Sequence, residues 1–273
     1  RSSVFIPNSI TYQSQDYIIT TIKSGSFRNN HTIKKLEFPE DSSIHIIEKN
    51  AFKKSTIQTL FIPSRVEELQ KGWCNKTTDL TTVIISPNNP NFKYSDESHQ
   101  IILGKSDKST TNFDVVVFGS RDIQTAAIPD NITQIQSYSF QNCENLKTIN
   151  ISENSELRTI GKKFLSLSMI RHFFIPSKVE KIQEGFLYFV PYLRQITISP
   201  HNRFYKFLND DQNIIVNEKL GIIMYADWEI RKVQIPSNIK RLAKYAFNQC
   251  NQLEAIEISE NSFISRNNDL YIK

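Results

Sequence analysis

The stretch 235-IPSNIKRLAKYAFNQCNQLEAIEIS-259 decides the fold, because 128-IPDNITQIQSYSFQNCENLKTINIS-152 repeats it slot for slot. In the first, Ile235-Pro236 is followed by Ile239, Leu242, Phe247, Cys250, Leu253, Ile256 and Ile258. In the second, Ile128-Pro129 is followed at the same spacings by Ile132, Ile135, Phe140, Cys143, Leu146, Ile149 and Ile151. Outward from these copies, Ile62, Ile85, Ile175 and Ile198 close the same pattern. From Ile62 to Ile258 the steps between closing isoleucines are 23, 43, 23, 24, 23, 37 and 23 residues. A recurring step in the twenties marks a solenoid, a stack of small units none of which buries its apolar face alone.

Each unit ends in apolar-x-x-apolar-x-apolar, which alternates with period two and predicts a very short strand. Successive strands are expected to pair in parallel, one per repeat, as a single continuous wall. The proline after the last apolar residue stops the strand, since it has no N–H for the ladder. Phe27, Phe52, Trp73, Phe140, Phe164, Phe186 and Phe247 fill one slot on the opposite side of the unit. A large ring there supplies apolar area to a thin core. The slot of Cys143 and Cys250 suits a small buried hydrophobe. The N-terminal copy, around Phe27, Ile33, Leu36 and Phe38, follows the pattern loosely.

The order Ile-Pro, apolar-x-x-Ile, Ala-Phe-x-x-Cys-x-x-Leu-x-x-Ile-x-Ile resembles the leucine-rich repeats of the BspA-like surface-protein family. The resemblance runs from about Ile22 to Ile258 and is far more specific for fold than for activity. It implies an α/β repeat solenoid with short helical turns or irregular segments behind the strands. It further implies a non-catalytic, adhesin-like protein-interaction module of a cell-surface or secreted protein that binds host or extracellular-matrix proteins. The alternative is an intracellular, cytoplasmic scaffold that docks other proteins. The glycine that such repeats carry before the aromatic is mostly absent, surviving as Gly25, Gly72, Gly161 and Gly185.

The two long steps hold insertions, about 86–127 and 199–234, that begin alike as 86-SPNNPNFKY-94 and 199-SPHNRFYKF-207. Each then offers two apolar runs, Ile101-Leu103 with Val115-Phe118 and Ile214-Val216 with Ile222-Tyr225, so two β-hairpins laid against the solenoid are expected. The 62–175 and 128–235 intervals form a super-repeat of roughly 110 residues. One elongated domain over 1–273 is therefore expected. The chain starts at Arg1 and ends at Tyr271-Ile272-Lys273, inside what should be another repeat or insertion, so a piece of a longer protein is expected, with any anchor or signal outside it.

The formal net charge is +5, and Lys and Arg are spread along the chain without a run of five. No nucleic-acid or membrane-surface stripe is indicated, and no apolar stretch approaches the length of a membrane span. The five histidines, His31, His45, His99, His172 and His201, fall in different repeats without metal spacing. No phosphate-binding glycine loop exists, and Asp210-Asp211 reads as a solvated turn. No cofactor, metal or catalytic residue is expected. Cys143 and Cys250 lie several rungs apart, beyond the roughly 7 Å Cα separation a disulfide spans, and Cys74 is expected to stand alone. Four Asn-x-Ser/Thr sequons, at Asn30, Asn75, Asn131 and Asn150, match chance for this composition.

Strand alternation names a candidate partner-contact face. The outward middle positions include Phe61, Ile84, Asn150 and Phe174, and the next outward positions include Thr59, Thr82, Thr125, Thr148 and His172. A threonine ladder beside an interrupted apolar stripe is the expected contact surface.

Overall fold

The computed structural model describes residues 2–208, 210, 211, 213–259, 262 and 264; the unit expected around Tyr271-Ile272-Lys273 lies outside them. Each rung of the chain turns past three walls. The front wall holds the strands that the isoleucine pattern predicts. Ser3–Phe5, Lys35–Glu37, Thr59–Ile62 and Thr82–Ile85 form one parallel sheet in that order. Thr125–Ala127 pairs with Thr148–Asn150, His172–Ile175 with Gln195–Ile198, and Lys232–Ile235 with Ala255–Ile258. Side chains alternate as period two requires: Leu60, Ile62, Val83, Ala126 and Phe173 are buried, and their neighbours face outward.

The front wall is thus four separate sheets and not the single continuous one expected. Two breaks coincide with the insertions, which push neighbouring rungs apart. The third, between Thr148–Asn150 and His172–Ile175, falls at the 24-residue step, where one extra residue intervenes. A backbone bond from Met169 N to Leu146 O (2.9 Å) still joins those rungs.

A second wall of two-residue strands was not expected. Thr21–Ile22, Ile46–Ile47 and Glu68–Leu69 pair in parallel, and Gln134–Ile135, Thr159–Ile160 and Lys181–Ile182 do the same further along. Each rung therefore carries two strands rather than one. Ile47, Leu69, Ile135 and Ile160 point inward here, which explains the apolar slot that follows each Ile-Pro.

The third wall consists of turns, and the expected helical turns are absent. No described residue between 2 and 259 lies in a helix, so the architecture is an all-β solenoid and not α/β. The cause is a residue with positive φ at every fourth position: Asn50 and Lys54, Gly72 and Lys76, Tyr138 and Asn142, Lys163 and Leu167, Gly185 and Phe189. A left-handed residue per turn forbids continuation of a right-handed helix. The N–H groups instead point along the stack. Phe52 N donates to Trp73 O (2.9 Å), Phe140 N to Phe164 O (2.9 Å) and Leu167 N to Phe189 O (2.8 Å). Asn50, Tyr138 and Lys163 take the left-handed position where related repeats use glycine, and these inter-rung bonds hold them there.

The insertions are three-stranded rather than two-stranded. Lys93–Tyr94, Ile101–Gly104 and Val115–Gly119 form an antiparallel meander, and Tyr205–Phe207, Ile214–Asn217 and Ile222–Ala226 form its counterpart. The last strand of each joins the second wall in parallel, so the meander replaces a rung. Phe118 and Tyr225 fill the aromatic slot of that rung, against Trp73 and Phe186 respectively. The first meander is buried on both faces. Ile101, Leu103 and Val116 pack into one core and Ile102, Val117 and Phe118 into another, which is why these strands read as unbroken apolar runs. The shared SPNN and SPHN openings also have a physical role. Asn89 Nδ2 donates to Pro63 O (2.7 Å) and Val66 O (3.0 Å), while its Oδ1 accepts from Asn91 N and Phe92 N. Asn202 repeats the arrangement with Pro176 O, Val179 O, Phe204 N and Tyr205 N.

Candidate partner-contact site

The front wall places the candidate residues in three groups. Thr59 and Phe61 lie directly opposite Thr82 and Ile84 on adjacent strands. Thr59, Phe61 and Ile84 line a shallow groove together with Lys35 and Glu37. Ile84 is 43% exposed, a large share for a β-branched apolar side chain in a strand centre. The second group is Thr125 opposite Thr148, with Asn150 beside them opposite Ala127. In the third, Phe174 is opposite Thr197, and the ring Nε2 of His172 lies 2.9 Å from Thr197 Oγ1. Phe61 and Ile84 are brought together; Phe174 belongs to a different sheet. The apolar stripe is accordingly one two-residue patch and one separate ring.

All three thiols are free and buried, as expected, and Cys74 has a side-chain partner. The guanidinium of Arg121, itself buried, donates through Nη2 to Cys74 Sγ (3.1 Å) and through Nη1 to Gly119 O (2.9 Å), Ser139 O (3.1 Å) and Cys143 Sγ (3.6 Å). It also lies over the Phe118 ring. The insertion delivers Arg121 between two rungs that sequence spacing keeps apart. Burial pushes the Cys74 thiol up and the Cys143 thiol up to about 11, and the nearby Arg121 cation only partly offsets this. Cys250 donates to Ala226 O and Asp227 O as Cys143 does to Gly119 O and Ser120 O, and burial raises it to about 12. Such thiols are neutral core groups, not nucleophiles. Among the described residues no three His, Cys, Asp or Glu side chains gather as a metal site requires, and no helix is long and apolar enough to cross a membrane.

Two surface features escaped sequence reading. The hairpin Ser9–Tyr12 and Gln15–Ile18 exposes Ile10, Tyr12, Tyr17 and Ile18. On the turn wall, Lys163 Nζ sits 3.7 Å from the Tyr188 ring centre and 4.6 Å from that of Tyr245, whose rings meet edge to face. Burial there, with Lys76, Lys162 and Lys244 nearby, holds the Lys163 amine below the ordinary lysine value. Cations spread evenly along the chain are thus gathered in space. A signal existed: in four of the nine rungs a lysine falls within three residues of the aromatic slot, at Lys53, Lys76, Lys163 and Lys244.

The family model for the BspA type leucine-rich repeat region matches residues 1–101, 111–208 and 209–269, in six copies. Among solved structures, a leucine-rich repeat protein from Eubacterium ventriosum superimposes with a TM-score of 0.62 at 15% identity, over 96% of this chain and 74% of that one. A leucine rich cell surface protein from Faecalibacterium prausnitzii superimposes with a TM-score of 0.53 at 16% identity, over 94% of this chain. The chain spans 60% of the length of that protein. Identities this low speak for a shared fold alone. No curated protein matches the chain.

Proposed function

The chain belongs to the BspA-type leucine-rich repeat family, and on that premise we propose that it is a non-catalytic, adhesin-like module that binds a host or extracellular-matrix protein at a cell surface. The observation that carries the reading is the Phe61–Ile84 pair. Half-buried Phe61 and exposed Ile84 face outward on adjacent strands of a parallel sheet, flanked by Thr59 and Thr82. Exposed apolar groups clustered in this way mark contact surfaces, and rings at their centre contribute most of the binding energy. Thr125, Thr148, Asn150, His172 and Phe174 extend the face as its polar and aromatic periphery. The Faecalibacterium neighbour, a leucine rich cell surface protein, agrees with this location.

The experiment is binding to immobilised extracellular-matrix proteins such as collagen and laminin, comparing the native chain with the Phe61→Ala/Phe174→Ala and Phe61→Ala/Ile84→Ala variants. Loss of about tenfold or more is expected for the variant that empties the paired patch, as for truncation of interface anchors. Equal binding by all three proteins sinks the front-wall reading. Labelling of intact cells with a membrane-impermeant reagent checks the location.

A further inference from the structure

The turn wall carries a charge that the rest of the molecule does not. Its segments, 23–29, 48–54, 70–76, 136–142, 161–167, 183–189 and 243–249, hold ten Lys and Arg against two acids, Glu48 and Glu184. That surplus of eight exceeds the +5 of the whole chain, so the remaining surface is net acidic. The wall is continuous across both insertions. The Tyr138 ring packs on Gly72 and the Tyr245 ring on Gly185, while Lys76 N donates to Gln141 Oε1 (3.0 Å) and Val190 N to Gln249 Oε1 (3.1 Å).

Both acids are already engaged. Glu184 pairs with Arg241 (2.7 Å) and accepts from Lys244 N, and Glu48 accepts from Ser24 N. Among the described residues none of the ten cations is in an ion pair, whereas lysines elsewhere are: Lys34 with Asp79 (3.5 Å), Lys35 with Glu37 (2.6 Å) and Lys108 with Glu67 (3.1 Å). Of the twenty described Lys and Arg on the other faces seven are in ion pairs, against none of the ten here. Such an unopposed strip draws polyanions.

The aromatics narrow the partner. The rings of Tyr188, Tyr245 and Tyr138 are already covered by the amines of Lys163, Lys244 and Lys162. Tyr245 and Phe189 stay exposed on this wall, but two rings make no run of platforms for successive nucleic-acid bases, whose single-stranded binding depends on stacking. What remains is a set of compact ammonium charges on five of the seven turn segments, spaced along one strip, which suits sulfate groups carried on an extended chain.

We propose that the turn wall docks an acidic, sulfated polysaccharide, gripped by the amines of Lys54, Lys76, Lys162 and Lys244 on a face separate from the Phe61–Ile84 patch. The test is binding to immobilised heparin. Lys54→Gln/Lys76→Gln/Lys162→Gln/Lys244→Gln is compared with Lys147→Gln/Lys178→Gln/Lys219→Gln/Lys232→Gln, which removes equal charge from other faces. All eight residues are exposed, and thermal melts check that both variants fold. The native chain should bind in about 0.1 M salt and be released as rising salt shortens the screening length. The turn-wall variant should bind about 30-fold more weakly, from a factor of roughly two to three per exposed charge pair. The control should stay within a few-fold, desulfated heparin should fail to compete, and Phe61→Ala/Phe174→Ala should bind heparin normally. The proposal is overturned if the native chain does not bind heparin, if both lysine variants lose equally, or if oligothymidylate or polyglutamate of matched charge binds as tightly as heparin.

Discussion

Replacing Gly161 by alanine tests rung stacking with one methyl group. A Cβ at this position would lie 2.3 Å from Ser137 N, 2.6 Å from Gln136 C and 2.6 Å from Ser137 Cα. Ordinary contact begins near 3.4 Å, so the methyl overlaps the backbone of the adjacent rung by about 1 Å. Backbone cannot rotate away as a side chain would. The rungs must part, straining the Gly161 N to Ile135 O bond (2.9 Å) and the Ser137 Oγ bond to Gln183 Oε1 (2.8 Å). Gly161 does not have positive φ, so alanine brings no backbone strain and the whole cost is steric. Overpacking at the upper end of its usual range costs about 3 kcal/mol, against at most about 1 kcal/mol gained from a stiffer unfolded chain. The net loss of about 2–3 kcal/mol lowers the melting temperature by about 4–6 °C for a chain of this size. Gly25→Ala is the reference, because its φ is +83° with nothing within 4 Å of the new Cβ. It should cost about 1–2 kcal/mol from strain alone. Urea titrations followed by circular dichroism measure both. If Gly161→Ala is no more costly than Gly25→Ala, the rungs do not approach as closely as the stacking requires.

Asn89→Ala removes two donated and two accepted bonds from a buried site and should cost about 2–4 kcal/mol, with faster proteolysis at 86–124 as the local readout. Lys54→Gly, at an exposed position of φ 58°, relieves left-handed strain and should stabilise by up to about 1 kcal/mol; Lys49→Gly, where φ is not positive, should destabilise by a similar amount in the same melts. Because the Cys143 thiol is raised to about 11, the unfolded chain ionises first as pH rises. Stability is then full below about pH 9 and falls towards pH 11, by about 2–3 kcal/mol for this thiol. Cys143→Ala should flatten that alkaline fall, and a native protein whose thiols react with iodoacetamide at pH 8 as fast as in urea contradicts the burial.

The slots that carry large buried side chains were legible. Phe52, Trp73, Phe140, Phe164 and Phe186 and the isoleucine-closed strands stand where the spacing puts them, because burial and period two leave a direct trace in residue type. The second wall left none. Strands such as Ile46–Ile47 and Gln134–Ile135 are too short for alternation to be recognised. The turn wall misled because its left-handed residues include Lys163, Leu167 and Phe189 rather than glycine. Inter-rung hydrogen bonds, which have no sequence signature, impose that conformation. The N-terminal hairpin was missed for a similar reason. Its turn uses Gln13 and Ser14 at φ 50° and 64°, without the Asn-Gly pair that normally announces such a turn. Outward-facing positions on the front wall were correctly placed, but the grouping of Phe61 with Ile84 and away from Phe174 depends on sheet breaks that only the fold reveals.

The central claim is that rungs are hydrogen-bonded to each other along the turn wall as well as through the paired strands of the other two walls. Residue-resolved amide hydrogen exchange measures this directly. The amides of Phe52, Phe140, Asn142 and Leu167 on the turn wall should be protected to the same degree as those of the front-wall strand Thr82–Ile85. Turn-wall amides that exchange like an exposed loop, while the front-wall strands stay protected, would contradict it.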